Sequence, residues 1–119
     1  MDKQLIGAWG EEQAANYLRR KGYTILGLNY SKRVGEIDII ARRGTYVVFV
    51  EVKLRRDARF AEAREFVTRA KQERILTTAQ LWLSENACRL QPRFDVIEVY
   101  APEAPKGPVE IRHLEDAFS

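Results

Sequence analysis

The sequence predicts an α/β fold: a mixed central sheet of about five strands flanked by helices, in the order αβββαββ. Two observations carry this. Segments 3–21 and 66–86 place apolar residues at helical spacing, while shorter runs between and after them are rich in β-branched and aromatic residues. A third observation fixes the middle of the sheet. Residues 45–54 are apolar on both faces, as a central strand must be.

The first helix is expected over 3–21. Asp2 can cap its start, Gly22 sits where a C′ glycine belongs, and Ala14, Tyr17 and Leu18 form part of its inward stripe. Residues 23–30 and 35–41 read as strands, followed by the run 45–54. Arg43-Gly44 between the last two suggests a tight hairpin. The second helix, 66–86, carries Ile75, Leu76, Ala79, Trp82 and Leu83 as one stripe. Residues 93–100 make a fourth strand. A proline-rich loop at 101–108 leads to an edge strand at 109–112, and 113–118 is expected to close with a helical turn.

With 119 residues, 45% of them hydrophobic and 31% charged, the chain has the make-up of one folded domain, 1–119. The longest strictly apolar run, Tyr46 to Val50, is far short of the roughly 20 residues of a membrane span. The first residues lack a signal peptide's apolar core, so a cytoplasmic protein without a membrane partner is expected. One cysteine, Cys88, and one histidine, His113, exclude an internal disulfide and most zinc and triad chemistries. A Cys88–His113 pair is one option; a structural thiol in a helix is the favoured one. Chemistry, if any, falls to carboxylates, lysines and a metal ion.

Charge is unevenly spread over the net +3. Residues 19–74 hold fifteen bases against seven acids, whereas the flanking segments are net negative. The positive block is arginine-rich, and includes Arg33, Arg42, Arg43, Arg55, Arg56 and Arg59. Arginine makes bidentate contacts to phosphate, so a polyanion partner is expected, nucleic acid before membrane. The alternative is a solvated charged surface.

Within that block, strand alternation places Glu36 and Asp38 on one face and Glu51 and Lys53 on a face of the next strand. A turn centred on Arg43-Gly44 sets Asp38 opposite Phe49 and Glu36 opposite Glu51. Three carboxylates beside so apolar a strand need a counter-charge. A divalent cation would supply it, and Mg2+ favours carboxylate oxygens together with water and phosphate oxygens. The competing reading is an ion-pair network closed by Lys53 and nearby arginines. Glu11 edges onto the inward stripe of the first helix, three and seven residues before Ala14 and Leu18, while Glu12 points to solvent. Lys71 and Gln72 precede Ile75 and Leu76 by one turn, at the core-facing start of the second helix, where they reach a phosphate or position water, or serve as ordinary helix-start polar residues.

The patterns Gly10-Glu11, Gly35-Glu36-Ile37-Asp38, Phe49-Val50-Glu51-Val52-Lys53-Leu54-Arg55, Lys71-Gln72 and Arg93-Phe94-Asp95-Val96 resemble the YraN-type family of small bacterial proteins. That family is grouped with the PD-(D/E)XK nuclease superfamily and is similar to archaeal Holliday-junction resolvases. The resemblance covers nearly the whole chain. It implies a restriction-endonuclease-like fold, Asp38 and Glu51 as ligands of Mg2+ or Mn2+, Lys53 as the catalytic lysine, and Glu11 as the helix-one glutamate of the resolvase branch. One departure is Ile37, which stands where the superfamily has proline before the first aspartate.

The expected activity is therefore metal-dependent hydrolysis of nucleic-acid phosphodiester bonds, structure-selective in the resolvase sense. Lys53, Glu11 and Gln72 are its catalytic candidates, and Asp38, Glu51 and Glu36 its metal candidates. Arg33, Arg42, Arg43, Arg55, Arg56, Arg59 and Lys71 are the candidates for gripping nucleic acid, DNA before RNA. A resolvase-like substrate would imply a homodimer. Two alternatives stand beside this: a non-catalytic nucleic-acid-binding module on the same scaffold, and an adaptor whose basic face binds an acidic protein.

Overall fold

The computed structural model describes residues 3–56 and 67–119. Its elements are α1 (Lys3–Arg20), β1 (Thr24–Lys32), β2 (Gly35–Arg43), β3 (Tyr46–Arg55), α2 (Arg69–Glu85), β4 (Gln91–Tyr100) and β5 (Glu110–Phe118). The order αβββαββ is the expected one. The five strands form one mixed sheet in sequence order, antiparallel throughout except for the parallel pair β3 and β4, which α2 joins by crossing one face.

Each helix ends for a local reason. Beyond α1, Tyr23 donates its amide to Leu18 and Gly22 to Arg19, the paired closing bonds of a Schellman motif, with Gly22 at φ +91°. The expected cap Asp2 lies outside the described residues. At the start of α2, the Thr68 hydroxyl accepts from the Lys71 amide, so the helix begins at Arg69.

The two helices cover opposite faces. Ala14, Ala15 and Leu18 of α1 pack on Ile39, Ala41, Val48, Val50, Ile97 and Val99. Ile75 and Ala79 of α2 pack on Ile40, Val47, Phe49, Phe94 and Val96. β3 is thus buried on both sides, and its residues alternate between the two clusters from Val47 to Val50. Among the described residues, no helix is long and apolar enough to cross a membrane.

Three local expectations are corrected. First, Arg43 pairs with Tyr46, so the hairpin turns on Gly44-Thr45, with Gly44 at φ +59°. The register moves by two residues: Ile40, not Asp38, faces Phe49, and Ile39 faces Val50. A shift of two keeps every side chain on its face. It carries Asp38 to the level of Glu51.

Second, β2 does not alternate strictly. Ile39 belongs to the α1-side cluster, but Ile37, two residues away, belongs to the α2-side cluster. On β1, Asn29 lies between the residues paired with Ile39 and Ile37, and it adopts a left-handed φ of 52°. The ribbon is turned there, so a shared face for Glu36 and Asp38 does not follow from counting.

Third, residues 113–118 continue β5 instead of forming a helical turn. Leu114 pairs with Val96, Phe118 pairs with Phe94 and stacks on its ring at 5.5 Å, and the register shifts between them. Asp116 takes a left-handed φ of 51° and donates its amide to Asp95. The bulge lets Leu114 and Phe118 both reach the α2-side core, and sheet pairing outweighs a marginal terminal turn.

Candidate functional site

β2 and β3 part just beyond the Ile39–Val50 pair, and the site lies in the gap. The Asp38 carboxylate accepts from the Val52 amide at 2.8 Å, so a side chain takes the place of a ladder carbonyl. Glu51 is beside it on β3. Asp38 and Glu51 are 7% and 6% exposed, unusually low for carboxylates. They line a cleft of about 400 Å3 together with Glu11 from α1, Glu36 from β2, and Lys71 and Arg74 from α2.

The charges are held as follows. Lys71 Nζ is 2.7 Å from Glu51 Oε1, and Lys53 Nζ is 3.7 Å from the same oxygen. The Asp38 carboxyl is pushed up from 3.8 to about 7, first by burial and then by the Glu51 charge, against the Val52 hydrogen bond. Burial likewise raises Glu11, which hydrogen-bonds Asn29 and Asp38 and feels the charges of Glu36 and Glu51. A bond between two carboxyls requires a proton on one of them. Lys53 is lowered by burial and by the Lys71 ammonium. Burial opposes the charge on Lys71, but Glu51 outweighs it and holds Lys71 above its ordinary value.

The donors suit a hard cation: they are carboxylate oxygens, with the Val52 backbone carbonyl adjacent. Their crowding is the kind of repulsion a divalent ion relieves. Among the described residues, however, no three acidic, thiol or imidazole side chains are gathered around one point as a ready-made ligand set. The Lys71 ammonium occupies the Glu51 oxygen instead.

Close packing delivers α2 to the cleft. A Cβ on Gly35 would lie 2.7 Å from Thr78 Oγ1 and 3.2 Å from the Arg74 carbonyl oxygen. Only glycine lets the start of β2 approach the helix this closely, with Lys71 and Arg74 on the turn that faces the carboxylates.

The structure thus brings Glu11, Glu36, Asp38, Glu51, Lys53 and Lys71 together. Gln72 does not join them. Its amide donates to the Val67 carbonyl at 2.9 Å, and it lines a different surface hollow with Leu76 and Ser119. One helical position, about 100° of rotation, separates it from Lys71. The arginines also divide. Arg33 is exposed in the β1–β2 turn near the cleft, and Arg55 and Arg56 lie beyond Lys53 on the same side of the sheet. Arg42 and Arg43 end β2, at the sheet's opposite edge; Arg42 bonds the Gly44 carbonyl and Arg43 lies over the Tyr23 ring. Arg59 lies outside the described residues.

Spacing alone does not single out Lys32 and Arg74, which also line the cleft. The available signal for Arg74 is its place one turn after Lys71. A second polar cluster escapes sequence reasoning too. Asp95, fully buried, accepts two bonds from Arg93 at 3.0 and 2.8 Å and meets His113 Nε2 at 2.6 Å. His113 Nδ1 is 3.1 Å from the Tyr17 hydroxyl, and Arg93 donates to the Tyr23 hydroxyl. His113 therefore belongs with Asp95 and Tyr17, tying α1 to β4 and β5, and Cys88 sits apart at the end of α2, where its amide bonds Leu83.

Residues 10–99 match the model of the uncharacterised protein family UPF0102. The chain is 41% identical over 119 residues to a UPF0102 protein of Caldanaerobacter subterraneus, covering 99% of this chain and 98% of that one. It is 46% identical over 114 residues to a UPF0102 protein of Syntrophotalea carbinolica, covering 95% and 90%, and 44% identical over 101 residues to one of Vibrio campbellii, covering 82% and 83%.

Proposed function

The chain belongs to the uncharacterised protein family UPF0102, and we propose that its cleft hydrolyses phosphodiester bonds of nucleic acid, DNA before RNA, with Mg2+ or Mn2+. The observation that carries this reading is the gathering of Asp38, Glu51 and Glu11 beside Lys53 where β2 and β3 part. It agrees with the resemblance to the PD-(D/E)XK superfamily and its restriction-endonuclease-like fold, with a cytoplasmic setting, and with a two-fold dimer acting on a branched substrate.

The side chains of Asp38 and Glu51 and the Val52 carbonyl would hold the cation, with Glu11 and Glu36 the nearest further carboxylates. When bound, a divalent ion supplies Lewis acidity and a water of lowered pKa. The rest falls to the chain itself. Lys53, half-buried beside Glu51, presents a fixed positive charge to the reacting phosphate, where charge accumulates in the transition state. Arg74 and Lys32 at the cleft wall, with Arg33 and Arg55 nearby, hold flanking phosphates without reading sequence. Lys71 exchanges Glu51 for phosphate as the strand enters.

A second reading, a binding module without catalysis, is favoured by one observation: Lys71 already neutralises Glu51 at 2.7 Å. A cleavage assay separates the two. Branched, flapped, single-stranded and blunt DNA and RNA are incubated with Mg2+ or Mn2+, with Glu51→Ala as control. The nuclease reading expects metal-dependent products with wild type and none with the variant. Tight binding without products on any substrate supports the module.

A further inference from the structure

Along β3, alternation puts Glu51, Lys53 and Arg55 on one face, the face that α2 covers. This row leads out of the carboxylate cleft into a second hollow of about 230 Å3. Its walls are Tyr100, Pro102, Pro108 and Val109, and Arg55 and Arg56 stand at its rim. Arg55 pairs with Tyr100 across the parallel strands, and Arg56 bonds the Ala104 carbonyl at 3.3 Å, which fixes the rim against the proline-rich loop. The hollow is mostly apolar and below the roughly 300–1,000 Å3 of pockets that enclose drug-sized ligands. It has room for one flat ring system.

Four residues separate Glu51 from Arg55, roughly 13 Å at the rise of a strand. At about 3.4 Å of rise per nucleotide that is about four stacked nucleotides, and fewer if the strand is extended. A chain of phosphates running from the cleft along Lys53 and Arg55 therefore arrives at the hollow with its next base free to turn in.

We propose that this hollow receives one unstacked nucleobase of the strand held in the cleft, and so selects nucleic acids with an unpaired nucleotide a few positions from the bond to be cut. The proposal rests on the nucleic-acid reading of the cleft and adds the substrate class: flaps, junctions and single-stranded overhangs in preference to blunt duplex. The proline and valine surfaces bury the ring's faces, and the guanidinium planes stack on it and meet its phosphate. A paired base cannot enter, since its Watson–Crick partner and stacked neighbours fill the space the walls require.

The test uses the full chain and fluorescent oligonucleotides in Ca2+, which permits binding without turnover. Affinities are measured for blunt duplex, for the same duplex with a single-stranded flap, and for the flap with abasic sites stepped through its first six positions. A 2-aminopurine at the most sensitive position reports on stacking directly. Wild type is expected to prefer the flap by about five- to a hundredfold, the range of one stacked base. One abasic position should remove that preference, and 2-aminopurine emission should change there alone. Val109→Gln, an exposed position given a longer uncharged side chain, should abolish both the preference and the abasic sensitivity. Equal affinity for blunt and flapped DNA, or a preference that no abasic site affects, overturns the base pocket and leaves the cleft reading intact. Absence of binding to every nucleic acid overturns both.

Discussion

The Asp38 carboxylate accepts the Val52 amide at 2.8 Å, one residue past Glu51 on the neighbouring strand. Through this bond the end of β2 is stitched to β3 by a side chain where backbone pairing stops, and two buried carboxylates are held in one cleft. The arrangement costs stability, because Asp38 and Glu51 repel each other in a site poor in water.

That cost has a pH signature. The Asp38 carboxyl titrates near 7 in the folded chain and near 3.8 without its environment, so the folded state binds the extra proton between those values. Its contribution is fully present below the lower value and is lost as pH rises through about 7. Asp38→Asn keeps a neutral group there and should flatten the decline in unfolding free energy between about pH 4 and 7, a change on the order of a few kcal/mol. Urea titrations at stepped pH give the slopes. A wild-type slope that survives in the variant assigns the proton elsewhere.

Mn2+ or Mg2+ should raise the melting temperature of wild type, since a ligand that binds only the native state stabilises it. Asp38→Asn should lose most of that rise, even if the metal-free variant is the more stable protein. A metal-induced rise unchanged by Asp38→Asn would refute the carboxylate assignment.

Gly35→Ala drives a methyl against Thr78 and the Arg74 carbonyl, so α2 must move outward. Overpacking of this kind costs about 1–3 kcal/mol. Removing the nearer obstacle in the double variant Gly35→Ala/Thr78→Ala should recover part of the loss, and a double-mutant cycle in chemical denaturation measures the coupling. Additive effects would mean that the two residues do not meet.

Asp95→Ala should destabilise by about 3–5 kcal/mol, because it leaves the half-buried Arg93 and His113 without their common partner. Burial pushes the Asp95 carboxyl up, but its bonds from His113, Arg93 and the Asp116 amide outweigh this and hold it below the usual range. Its stabilisation is thus present above the ordinary carboxylate value and fades as pH falls through the folded one, opposite in sense to Asp38. An acid limb of the stability profile that is unchanged in the variant would contradict this.

The element order and the central strand are legible in the sequence because β3 is apolar on both faces and both helices carry strong stripes. The carboxylates stand out because they break that pattern. Other features are set by contacts that spacing does not encode. The two-residue register shift comes from Gly44-Thr45 taking the turn, and the twist at Asp38 from Asn29 on the adjacent strand. The last strand hides behind a bulge at Asp116, and the Arg93–Asp95–His113–Tyr17 cluster joins residues nearly 100 positions apart. Gln72 and Lys71 are sequence neighbours, yet one helical step turns them to different surfaces.

Lys53 offers the most direct test of the cleft as a catalytic site. The measurement is the single-turnover cleavage rate of the best substrate from the structural panel, made at saturating protein, for wild type and Lys53→Ala, beside the affinity and unfolding free energy of each. One preorganised charge supplies roughly 3–4 kcal/mol of transition-state stabilisation, so the variant should cut bound substrate about 10²–10³-fold more slowly while its affinity and stability remain close to wild type. A variant that is merely less stable, from a wild type that binds nucleic acid and yields no metal-dependent product, would contradict the nuclease account.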